Sequence, residues 1–170
     1  MGHLNFGRTN LMALASNNCL QEVEALLEAG ETVDSKDDDG ITALVYACNA
    51  GAHECAQALL RYGADVNYPN RVGGTALFYA ASQGREDIVK LLLSHSANYG
   101  ATLDNGVTPL MIAASSGHGG TARILVEAGA DPNQTDALGR TAWHFARDRG
   151  RAAICDYLSK RTRAAAHAER

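Results

Sequence analysis

A fixed internal period constrains this chain more than any other feature, because self-similarity at roughly 20–50 residues specifies a stack of small units rather than one closed core. The period here is 33 residues. Thr42, Thr75, Thr108 and Thr141 recur at that spacing, each two residues after Gly40, Gly73, Gly106 or Gly139. Ala47, Ala80, Ala113 and Ala146 keep the same interval, as do Gly51, Gly84, Gly117 and Gly150. A weaker copy precedes them, aligning Thr9, Leu11, Ala13, Asn18, Leu26, Leu27 and Gly30 with the stronger units.

Each unit has a physical reading. Thr42 and its repeats can cap a helix, since the hydroxyl accepts from free N–H groups of the first turn. Pro109 follows Thr108 at the position where a missing N–H costs nothing. The first helix ends near Gly51; Ala47 and Ala80 let helices approach closely, and Leu44, Leu77 and Leu110 supply apolar contact. A second helix is predicted from His53 to Tyr62, with the apolar pair Leu59 and Leu60 repeated as Leu26–Leu27, Leu92–Leu93 and Leu125–Val126. Gly30, Gly63 and Gly129 mark left-handed helix ends, which glycine adopts without steric cost; Ser96 breaks that pattern. Polar turns such as Ala64-Asp65-Val66-Asn67 and Ala130-Asp131-Pro132-Asn133 lead to the next Gly and Thr.

Thr108-Pro109-Leu110 with Ala113-Ala114, Gly117-His118, Leu125-Val126, Gly129-Ala130-Asp131 and Asn133 resembles an ankyrin repeat. The resemblance divides residues 1–170, as a single domain, into units 4–36, 37–69, 70–102, 103–135 and 136–168. It implies an α fold class: an ankyrin-repeat solenoid of stacked antiparallel helix pairs with short β-hairpin fingers, in which no unit buries its own core. Departures are informative. The family's His after Thr-Pro-Leu is replaced by Val45, Phe78 and Met111 and survives as His144, which is expected to bond the Thr141 hydroxyl. Trp143 stands where other units have Leu and is expected to pack against the fourth unit. Ser96, Asn98, Tyr99 and Gly100 predict an irregular finger. After Tyr157-Leu158 the chain runs into Lys160-Arg161-Thr162-Arg163 with no finger, the pattern of a capping unit with a polar outer face.

Composition and charge narrow the function. With 46 % apolar and 20 % charged residues and three Pro, the chain is globular rather than disordered. It lacks the apolar run of roughly 18 residues that a membrane span needs. Met1–Asn10 has no basic segment followed by an apolar one, so the expected location is the cytoplasm, with the nucleus open. Cys19, Cys48, Cys55 and Cys155 form no C-x-x-C pair and are expected as free thiols. Residues 1–139 carry seven bases against sixteen acids, and residues 140–170 carry eight against three. That asymmetry is either solvated helix surface or a match for partners of opposite sign at each end. The acidic body disfavours nucleic acid.

No catalytic set stands apart from the repeat. Ser115, Ser116 and His118 occupy variable and turn positions, and His53, His95 and His118 fall on separate units, too far apart to share a metal. Gly117, Gly119 and Gly120 follow no strand, and Asp37-Asp38-Asp39-Gly40 lacks the later Glu of a calcium loop. No enzyme activity, metal or small-molecule cofactor is predicted.

What remains is a surface, and the resemblance places partners on the concave face of finger tips and first helices. By position the tips are Asp38, Asp39 and Ile41, then Arg71, Val72 and Gly74, then Asp104, Asn105 and Val107, then Ala137, Leu138 and Arg140. The helix positions are Asn49, Ala50, Ser82, Gln83, Ser115, Ser116, Asp148 and Arg149. Tyr46, Tyr79, Ile112 and Phe145 form a further column, either framework packing or an aromatic stripe along the groove. Acidic tips at one end with Arg140, Arg147 and Arg149 at the other would orient a dipolar peptide. The expectation is a monomeric protein–protein interaction module or adaptor that binds a protein or peptide. The alternative is a small ankyrin-type inhibitor that blocks an enzyme such as a kinase. Leu59 to Asn67 also resembles a substrate of the asparaginyl hydroxylase of the hypoxia response, which marks Asn67 for modification.

Overall fold

A computed structural model describes residues 9–168, with side chains to residue 162. The predicted start of the first unit near Leu4 lies outside the described residues. The helices are α1 (Asn10–Ser16), α2 (Leu20–Glu28), α3 (Ala43–Ala50), α4 (His53–Arg61), α5 (Ala76–Ser82), α6 (Glu86–Ser94), α7 (Pro109–Ser116), α8 (Gly119–Glu127), α9 (Ala142–Asp148) and α10 (Ala152–Ala168). They form two rows. Each odd-numbered helix packs on the next odd one, each even-numbered helix on the next even one, and each pair closes on itself.

The core follows the 33-residue columns. Leu44, Leu77 and Leu110 on the inner row and Leu59, Leu92, Leu125 and Leu158 on the outer row are fully buried. Ala47, Ala80, Ala113 and Ala146 are buried between them, where a larger side chain would hold the inner helices apart. Each buried Leu contributes about 2 kcal/mol over an exposed one. Trp143 is half-buried against the same core.

Capping is less uniform than the threonine column predicts. Thr9 accepts from the Met12 N–H (3.3 Å) and Thr108 from the Met111 N–H (3.2 Å), while the Thr141 hydroxyl bonds His144 Nδ1 at 2.9 Å as expected. Thr42 and Thr75 make no such bond. In the bonded cases the residue three positions on offers an acceptor, Met Sδ or His Nδ1, to the threonine backbone N–H. Val45 and Phe78 offer none, and the Thr75 hydroxyl is buried without a partner.

The fingers are tight turns rather than β-hairpins, and the Lys36–Thr42 pair is an isolated bridge. Asp37 N–H donates to the Ile41 carbonyl (3.1 Å), Asn70 to Gly74 (2.9 Å), Leu103 to Val107 (3.0 Å) and Asp136 to Arg140 (3.0 Å). Consecutive turns are joined by one backbone bond each: Arg71 N–H to Asp39 O (3.2 Å), Asp104 to Val72 (3.1 Å), Ala137 to Asn105 (2.9 Å). Arms this short cannot extend into a ladder.

The finger expected to be irregular is regular. Asn98 accepts from the Gly100 N–H at 2.9 Å, as Asp65 does from Asn67 (2.9 Å) and Asp131 from Asn133 (2.8 Å). Asn98 replaces an aspartate without changing the turn. Ser96 takes the left-handed conformation (φ 64°) that Gly30, Gly63 and Gly129 hold elsewhere. Ser96→Gly should therefore stabilise the chain by about 0.5–1 kcal/mol, the left-handed penalty less glycine's entropy cost. A rise in urea midpoint at unchanged slope is the expected readout, and an unchanged midpoint refutes it.

The outer helices α2, α4, α6 and α8 have nine residues each, whereas α10 has seventeen and takes the place of a finger.

Candidate functional site

The residue at the base of each finger sets the wall of the groove. Asp37 Oδ1 accepts from the N–H groups of Asp39 (3.0 Å) and Ile41 (2.8 Å), and its Oδ2 accepts from the Tyr46 hydroxyl at 2.8 Å. One unit on, Asn70 Oδ1 accepts from Val72 (3.1 Å) and Gly74 (2.7 Å), and its Nδ2 donates to the Tyr79 hydroxyl at 2.8 Å. In the last unit Asp136 Oδ1 accepts from Leu138 (3.0 Å) and Arg140 (2.8 Å). Its Oδ2 holds the Arg140 guanidinium, which lies 4.6 Å above the Phe145 ring. The unit 103–135 has Leu103 and Ile112 at these two positions, both half-buried against the core.

Finger base and helix column thus change together: Asp with Tyr, Asn with Tyr, Leu with Ile, and Asp with Phe through an arginine. The Tyr46 and Tyr79 hydroxyls belong to the framework, and their rings remain as wall. Burial first, then the negative field of Asp37 and Asp39, raises the Tyr79 phenol above its ordinary range against the opposing Asn70 bond.

Two cavities open on this wall. One, of about 140 Å³, is lined by Ile41, Val45, Tyr46, Asn49 and Tyr79. The other, of about 200 Å³, is lined by Asp39, Ile41, Asn70, Arg71, Val72 and Tyr79. Sharing Ile41 and Tyr79 makes them neighbours. Seven of the sequence-predicted surface residues, Asp39, Ile41, Tyr46, Asn49, Arg71, Val72 and Tyr79, meet here.

The other predicted residues do not line these two cavities. Asp38, Gln83, Asp104, Asn105, Asp148 and Arg149 are exposed, and Leu138 is 77 % exposed. Ser82, Ser115, Ser116 and Ile112 are half-buried, with the Ser82 hydroxyl donating to the Tyr79 carbonyl at 2.9 Å. Val107 corrects its expectation: it is only 7 % exposed, folded inward as its N–H donates to Asn105 Oδ1 at 3.2 Å. The expected basic pole also shrinks. Arg140 is taken by Asp136, and Arg147 by Asp148 (2.9 Å) and the Trp143 ring (5.2 Å).

Asp136 carries a pH dependence. Burial would raise its carboxyl, but the Arg140 N–H, the Arg140 guanidinium and the Leu138 N–H together outweigh that and hold it below the usual range. A lowered folded-state pKa contributes stability above the unfolded value of about 4 and loses it as pH falls through the folded value. Asp136→Asn should therefore be less stable than the native chain at neutral pH, with the gap narrowing toward acid as pH falls through the folded value. Urea midpoints at both ends test this; an equal gap at both refutes it.

Asn67 is exposed, and both its amide atoms are engaged: Nδ2 donates to Ser96 O (3.2 Å) and Oδ1 accepts from Asn98 N–H (2.7 Å). Any chemistry there must reach a side chain that latches one unit to the next. A second latch, which sequence reasoning missed, is His118 Nε2 on the Ser82 carbonyl at 3.1 Å. Among the described residues no group of three His, Cys, Asp or Glu is placed to hold a metal. The four cysteines are free, and burial raises the Cys48 and Cys55 thiols, Cys55 to about 11, which keeps them protonated and unreactive. Among the described residues no helix is long and apolar enough to cross a membrane.

The family model for ankyrin repeats matches in three overlapping copies, over residues 11–103, 69–136 and 98–168. No curated protein matches the chain. The helix pairs, the 33-residue columns and the family match agree, and the chain belongs to the ankyrin repeat family.

Proposed function

We propose that this chain is a non-enzymatic interaction module that holds a protein or peptide in its concave groove, centred on the cavities that meet at Ile41 and Tyr79. Ankyrin repeats are in general protein–protein interaction modules. The observation that carries this placement is convergence: residues from two consecutive fingers and from α3 and α5 line adjoining cavities. Concave sites with apolar walls and a few polar groups are where ligands are held.

The test must spare the framework, which excludes Tyr46 and Tyr79 because their hydroxyls tie the fingers down. Asn49 and Val72 are exposed and line one cavity each, so Asn49→Arg with Val72→Arg should leave stability within about 0.5 kcal/mol. Affinity capture from the native cell should lose its enriched proteins with this double variant at unchanged circular dichroism. Recovery of the same proteins overturns the placement.

A further inference from the structure

The two cavities differ in chemistry, and the difference describes an occupant. The first is walled by Ile41, Val45 and the two tyrosine rings, whose hydroxyls are already bonded to Asp37 and Asn70, so Asn49 alone adds a side-chain amide. Its 140 Å³ equals the liquid volume of about four or five waters at ~30 Å³ each. Small-molecule sites run to about 300–1,000 Å³, so this one fits a single side chain.

The adjoining cavity opens onto Asp39, and Asp37 and Asp38 precede it on the same finger. Arg71 is the base that lines this cavity, against the carboxylates of Asp38 and Asp39, since that of Asp37 is taken by the Asp39 and Ile41 N–H groups and the Tyr46 hydroxyl. Lys36, which does not line this cavity, donates to the Tyr68 hydroxyl at 3.0 Å and lies 5.6 Å over that ring. The field of Asp37 and Asp39 reaches Tyr79, one of the two residues both cavities share. At the far end of the groove Arg140 and Arg147 are already paired with carboxylates, and Arg149 is exposed.

Resting on the groove placement above, we infer that the partner presents an extended segment with an apolar side chain in the Ile41–Tyr79 cavity and an Arg or Lys beside it against Asp38 and Asp39. The apolar group gains by leaving water for a wall whose tyrosine hydroxyls are already bonded, and the cation supplies orientation and selectivity through charge-assisted bonds to the carboxylates.

Fluorescence anisotropy with labelled peptides in a common Ser/Gly background tests it: one with Leu and Arg, one with Leu and Glu, one with Ser and Arg. The Leu–Arg peptide should bind at least about tenfold tighter than either other, with a salt-sensitive affinity. Asp38→Lys with Asp39→Lys should reverse the order to favour Leu–Glu. Equal binding of Leu–Arg and Leu–Glu, or an order that the reversal variant leaves unchanged, overturns the inference. If no peptide binds while Asn49→Arg with Val72→Arg still loses the captured proteins, this chemistry falls and the groove stands. If that variant captures the same proteins, the groove placement itself falls.

Discussion

Gly73→Ala is expected to cost the chain about 3 kcal/mol, among the largest effects available to a single methyl group. Two penalties add. Gly73 sits at φ +84°, where a side chain costs about 1–2 kcal/mol. Its Cβ would also stand 2.7 Å from the Thr102 carbonyl oxygen and 3.2 Å from Leu103 Cα. Those are backbone atoms of the neighbouring finger, so nothing can rotate aside, and overpacking of this kind adds about 1–3 kcal/mol. The chain contains its own control. Gly139 holds the same position in the last unit, at φ +72° with open space for 4 Å around the site of an added methyl, so Gly139→Ala should show the backbone penalty alone, about 1–2 kcal/mol. Equal losses in urea melts of the two variants would show that close approach of the fingers is not what selects glycine.

The second large effect is at Gly84, where the obstacle is a side chain and can be removed. The added Cβ would lie 2.5 Å from His118 Nδ1 and 2.7 Å from its Cγ, with φ at +67°. The imidazole cannot swing away without giving up its bond to the Ser82 carbonyl. Gly84→Ala should cost about 3 kcal/mol, and in the background of His118→Ala only the backbone share of about 1–2 kcal/mol should remain. Gly150, at φ +68° with open space, is again the internal control. Additive losses from Gly84→Ala and His118→Ala would mean that the two groups do not collide.

Which parts of this were legible in the sequence follows from how far each interaction reaches. The leucine and alanine columns, the left-handed glycines and the His144–Thr141 bond depend on contacts within one unit or on a repeated position, and a period of 33 exposes both. The Asp37–Tyr46 and Asn70–Tyr79 bonds were not legible, because each needs a finger folded back over its own helix nine residues on. A signal existed: Asp and Asn accompany tyrosine at that separation, while Leu103 accompanies Ile112. Charge misled for a related reason. Counting bases at the C-terminal end ignores that Arg140 and Arg147 each have a carboxylate within 3 Å, which shrinks the basic pole of the groove toward Arg149. The threonine caps are not uniform, since Thr42 and Thr75 accept no first-turn N–H although the position recurs, and Val107 is buried where Ile41 at the same position stays half-exposed.

The packing of each helix pair on its immediate neighbours has a mechanical consequence. Load applied between the two ends passes through the junctions in series, and between the four described fingers the finger row carries it across one backbone hydrogen bond at a time. Such a chain yields in steps rather than all at once, and small rotations at successive junctions add into a change of span. A ligand lodged across the fingers of Asp39 and Arg71 would clamp one joint of this spring and leave the others compliant.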